Sequence, residues 1–159
     1  MLQILLLLGM LIPAIFFLLT QQNTLKVIKP ENRFLSPGLV WLQLIPLFGQ
    51  VWQFFTVVKI AQSISKELMF PEDDSILGVS ESALAANGRY PTLANGITYC
   101  STNTAGIILN LVLDKTQTDL LVMPRTCFIA GTIFWIIYWV QLASWKKKLK
   151  IVSRDLSFS

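Results

Sequence analysis

The chain has 159 residues, of which 53% are hydrophobic and 14% charged, with a net charge of +4. Soluble domains carry roughly 25% charged residues, so the composition excludes an ordinary soluble domain and leaves room for one compact unit. The sequence holds no histidine, which removes the usual general base, the usual haem ligand and most zinc or copper sites.

Four apolar stretches follow in order, and a helix of about 20 apolar residues spans the roughly 30 Å of a bilayer's hydrocarbon. They predict an all-α membrane protein: one integral membrane domain over residues 1–159, with transmembrane helices near 2–20, 37–60, 97–113 and 121–145. The first, LQILLLLGMLIPAIFFLLT, is expected to be a retained helix and not a secretion signal. No Lys or Arg precedes it, its apolar core exceeds the 7–15 residues of a signal, and no small-x-small cleavage site follows. Pro13 is expected to kink or loosen it.

In the second stretch Ser36 is the expected N-cap and Pro37 suits the first helical position. Pro46 and Gly49 predict a mid-helix kink. The helical pattern continues to Leu68, so its end is expected to project from the membrane, with Lys59 snorkelling to the interface. The third stretch, ITYCSTNTAGIILNLVL, places Cys100, Asn103 and Asn110 on one face near Gly106. A polar stripe in hydrocarbon must turn toward protein. The fourth ends at Lys146, Lys147, Lys148 and Lys150, with Tyr138, Trp139 and Trp145 as expected interface anchors.

Four spans put both termini and the loop 65–96 on one side, with Lys59, Lys66, Arg89, Lys146, Lys147, Lys148, Lys150 and Arg154. Lys26, Lys29, Arg33, Lys115 and Arg125 fall on the other. Positive charge favours the cytoplasm, so the expectation is N-in/C-in with a cytoplasmic loop between helices 2 and 3. The terminal lysines are read as an orientation signal and lipid-headgroup contact, not as a nucleic-acid patch.

No phosphate loop, nucleophile elbow or zincin pattern is present in the sequence. Glu72-Asp73-Asp74 reads as a solvated acidic turn, and Cys100 and Cys127 as separated apolar fillers. An enzyme is not expected, nor a cofactor or metal; bound lipid is the one non-protein group allowed for. The polar intramembrane residues Gln43, Gln50, Gln53, Asn103, Asn110 and Gln141, with Gly106, are candidate helix-packing contacts through amide bonds. Their competing reading is a polar seam lining a path. Trp41, Phe48 and Trp52 form an aromatic stripe for a neighbouring helix or lipid.

The run Asn32-Arg33 through Ser36-Pro37-Gly38, Trp41, Pro46, Phe48 and Trp52-Gln53-Phe54, together with FWIIYWVQLASWKKKL at 134–149, resembles a family of small bacterial membrane proteins of unknown function, mainly from Bacteroidota. That resemblance implies a bacterial origin and four helices, and no activity; with cytoplasmic termini the expected location is the bacterial inner membrane. The functional expectation is a non-enzymatic accessory subunit packed against larger membrane proteins and lipids. A small oligomeric transporter or channel using the Gln/Asn seam is the alternative, and a sensor acting through loop 71–81 a third.

Overall fold

The computed structural model describes residues 2–69, 90–113 and 122–155, without the side chains of 2–8, 10, 69 and 152–155. Its described residues form α-helices and 3-10 segments, with no strand among them. The helices are α1 (Leu2–Val27), α2 (Phe48–Met69), α3 (Leu93–Val112) and α4 (Val122–Asp155). Two 3-10 segments, Pro30–Asn32 and Pro37–Leu44, lie between α1 and α2. The acidic cluster Glu72-Asp73-Asp74 lies outside the described residues.

α1 runs unbroken through Pro13 and seven residues past the apolar stretch, to Val27. Its added turns carry polar side chains that point inward: Gln21 and Thr24 are fully buried. The Thr20 and Thr24 hydroxyls donate to the Phe16 and Thr20 carbonyls at 2.9 and 2.8 Å, so they need no outside partner.

The continuous second helix is not formed. Ser36 makes no side-chain cap bond, and the chain from Pro37 enters a 3-10 segment that stops at Leu44. Ile45, which precedes a proline, is extended at φ −75° and ψ 119°, as the clash with the proline ring requires. Leu47 then takes a left-handed φ of 63°, and α2 starts in the opposite direction. Instead of kinking, the chain turns back on itself. A Cβ at Gly49 would meet the Gln43 backbone carbonyl, so only glycine allows the two arms to close here.

Successive bonds between the arms define the hairpin. The Trp52 indole donates to the Leu39 carbonyl at 2.8 Å, and the Phe34 amide to the Ser63 hydroxyl at 2.9 Å. At the open end Glu67 accepts from the Lys29 amide at 3.2 Å and the Asn32 side chain at 2.7 Å. The Lys66 ammonium donates to the Glu31 carbonyl at 2.7 Å. Residues 28–36 and 63–69 therefore sit at the same end of the bundle, where the four-span reading had put them on opposite sides.

α3 and α4 are antiparallel: Gly96 approaches Tyr138, Gly131 approaches Asn103, and Gly106 lies against Cys127 and Phe128. α1 runs parallel to α4, with Phe17 edge-on to Trp135, Tyr138 and Trp139 and the Trp139 indole donating to Thr20 at 2.9 Å. Tyr138 (0% exposed) and Trp145 (6%) are thus core residues and not the expected interface anchors. With α1 and α4 running one way, α3 the other and the hairpin returning, the N- and C-terminal ends of the described chain lie at opposite ends of the bundle.

Among the described residues one helix, over Val122–Ile151, is long and apolar enough to cross a membrane. Only 17% of its most apolar window is buried, the reverse of a soluble protein's core helix. Among the described residues, 24 large hydrophobic residues are exposed, against 16 hydrophobic residues buried. Apolar surface on that scale is characteristic of a membrane or protein contact. The described residues are thus all-helical, with one helix fit to span a membrane.

Candidate functional site

Where the hairpin tip meets the three long helices, a cavity of ≈ 230 Å³ opens. α1 supplies Ala14, Phe17 and Leu18; the hairpin supplies Gln43, Leu44 and Gln53; α3 supplies Tyr99 and Asn103; α4 supplies Gly131, Thr132 and Trp135. None of these side chains carries a charge at neutral pH.

The polar wall is built by short bonds within and between elements. The Tyr99 hydroxyl donates to Gln53 Oε1 at 3.1 Å, and Gln53 Nε2 donates to Gln50 Oε1 at 3.0 Å. Gln43 Nε2 donates to Gln21 Oε1 and to the Val40 carbonyl, at 2.6 and 3.1 Å. Tyr99 and Gln53 are 4% and 6% exposed, so both are held rigidly. Asn103 lines the same cavity, and the bonds of Gln43 use its Nε2. The opposite wall is aromatic: Phe17 contacts Tyr99 and Trp135 at ring-centroid distances of 6.1 and 5.3 Å. Leu44 (45% exposed) and the exposed Thr132 stand at the rim.

Sequence reasoning proposed ten packing contacts, and the structure sorts them. Gln43, Gln53 and Asn103 meet at the cavity, with Gln50 behind them. Gly106 packs on α4 as expected of a small interface residue. Asn110 is exposed. Tyr99 is level with Gln53, and α2 begins only five residues before Gln53. Asn110 lies eleven residues, about 16 Å, beyond Tyr99, past the hairpin tip.

Gln141 is separate: it lines a second groove with Tyr90, Thr92 and Lys148. Trp41 is not on a helical stripe with Trp52, because the two lie on opposite arms; its indole donates to Gln22 Oε1 at 3.3 Å. Phe48 and Trp52 do stack, at 5.3 Å. Gln21, Tyr99 and Trp135 were not singled out. The i, i+4, i+7, i+11 series Phe17, Gln21, Thr24, Ile28 marked the inner face of α1 past its apolar run, and was the available signal.

Cys100 and Cys127 are unbridged, and Cys127 stands level with Gly106, about 9 Å along α3 from Cys100. Among the described residues no cluster of His, Cys, Asp or Glu suits a metal ion. No family model, curated protein or solved structure matches the chain. The likeness to small Bacteroidota membrane proteins therefore assigns no family.

Proposed function

We propose that the chain is a multi-pass membrane protein with three crossing helices and a re-entrant hairpin. In this reading it binds a small uncharged molecule, without catalysis, in the cavity at the hairpin tip. The observation that carries it is a wall of fixed amides and a tyrosine facing aromatic rings, with no charged group among the eleven lining residues. An ion entering such a site would lose its hydration with no counter-charge, at a cost of several kcal/mol. A neutral molecule with carbonyl or hydroxyl groups would meet partners for both. An engineered apolar cavity of about 150 Å³ takes benzene, so ≈ 230 Å³ suits a substituted single ring.

The membrane placement is supported by distance and charge. Arg125 and Lys146 on α4 bracket an uncharged stretch of about 31 Å at 1.5 Å per residue, the thickness of the hydrocarbon core. The exposed tip, with Leu47 at 86% and Ile45 at 47%, suits lipid and not water. Among the described residues, one end of the bundle then takes Lys26, Lys29, Arg33, Lys59, Lys66, Lys146, Lys147, Lys148, Lys150 and Arg154. The other takes Arg125. That asymmetry, steeper than the four-span count, favours a cytoplasmic C-terminus and an N-terminus across the membrane. The bacterial inner membrane implied by the resemblance belongs to this proposal.

The test is extraction of the purified, nanodisc-embedded protein with mass spectrometry of the extract. A neutral compound recovered with wild type and reduced at least about fivefold in Leu44→Trp, which crowds the rim, supports the reading. Identical extracts from the two proteins contradict it. The accessory-subunit reading keeps one favourable observation: Ile97, Ser101, Ala105 and Ile108 form an exposed stripe on α3, with Asn110 below it. Small residues there would let a partner helix of a larger complex, or a second copy, approach closely.

A further inference from the structure

A second groove, of ≈ 320 Å³, runs between the start of α3 and the second half of α4. It lies at the end of the bundle that carries most of the cations, and it is unrelated to the cavity. We infer that it seats the phosphate of an anionic phospholipid, with the acyl chains lying down the outer face of α4.

Four observations converge on this. α3 is a 20-residue helix whose N-cap Thr92 gives no side-chain cap bond. The Leu93 and Gly96 amides reach Tyr90 and Thr92 carbonyls, and among the described residues the Ala94 and Asn95 amides have no acceptor at the positive end of the helix dipole. Lys148 lines the groove, its ammonium held 4.4 Å from the Trp145 ring centroid. Thr92, only 8% exposed, also lines the groove, and its hydroxyl has no hydrogen-bond partner. Below the polar head, Val140, Ile137 and Ile133 are 61%, 39% and 53% exposed in one stripe, an apolar track continuous with the groove through Val140. An anion at the head and hydrocarbon along the track describe one amphiphile.

The inference rests on the membrane reading but not on the cavity ligand. Its test reconstitutes the full chain in phosphatidylcholine vesicles doped with phosphatidylglycerol, and counts retained lipid by native mass spectrometry. Wild type should retain phosphatidylglycerol above its bulk fraction. Lys148→Gln should lower that retention by more than the roughly fivefold that one diffuse surface charge supplies, while Lys147→Gln, the same charge change one residue away and outside the groove, should lower it by no more than that. Both side chains are exposed, so neither variant should fail to fold.

Equal losses in the two variants would mean diffuse surface attraction and overturn the site. Displacement by millimolar inorganic phosphate would make the occupant a free anion and overturn the lipid. A protein that fails to enter vesicles sinks the membrane reading itself. One that enters without lipid selectivity sinks only this inference.

Discussion

Glu67 shows how much of the fold rests on one side chain. Its carboxylate ties the end of α2 to the Lys29 amide and the Asn32 side chain, and Asn32 is only 7% exposed. A buried donor left without its acceptor costs about 1–3 kcal/mol. Glu67→Ala should therefore lower stability in that range, while Glu67→Gln, which keeps an acceptor oxygen, should lose less than half as much. Thermal unfolding in one detergent measures both; equal losses would put the effect in the charge and not in the bond.

Gly96 makes a second residue-scale prediction. A Cβ there would meet the Val57 side chain and lie 3.0 Å from the Tyr138 ring. Gly96→Val should cost about 1–3 kcal/mol by overpacking, against a neutral outcome at Gly38, where nothing lies within 4 Å.

The hairpin is where element-scale physics departs from the sequence pattern. Proline and glycine in an apolar run signal a kink and a turn alike, and nothing within residues 37–60 distinguishes them. What decides is distant: Ser63 and Glu67 bond to residues 29–34, contacts that no local periodicity reports. The strain at the tip is local, however, and makes opposite predictions for two neighbours. Leu47 is left-handed and 86% exposed, so Leu47→Gly should relieve about 1 kcal/mol of backbone strain. Gly49→Ala would push a methyl into the Gln43 carbonyl and should destabilise the tip. Stability of the two variants in the same detergent checks the pair, and a stabilising Gly49→Ala would contradict the turn.

α1, α3 and α4 were legible from length and apolarity, with ends that shifted because polar residues prolong them. The terminal turns of α1 bury Gln21 and Thr24, and α4 continues through its lysines to Asp155. Within the site, Gln43, Gln53 and Asn103 stood out as amides in apolar surroundings. Their common cavity did not, because it exists only once the hairpin folds back between the helices. Tyr99 was hidden for a related reason: its partner Gln53 lies 46 residues away.

At the scale of the whole molecule, replacing a crossing helix by a returning hairpin changes everything downstream. In the proposed topology it moves the N-terminus to the side opposite the C-terminus and gathers the described cations at one end. It also encloses a neutral cavity at the depth where a spanning helix would have packed solid. The direct measurement is cysteine labelling in intact membrane vesicles of known orientation, in a background with Cys100 and Cys127 replaced by alanine. Single cysteines at Glu31, Lys66 and Arg125 report the two arms of the hairpin and the far end of α4. The re-entrant account predicts that an impermeant maleimide reaches Glu31→Cys and Lys66→Cys from the same face, and Arg125→Cys from the other. Labelling of Glu31→Cys and Lys66→Cys from opposite faces would restore a continuous second span and contradict the account.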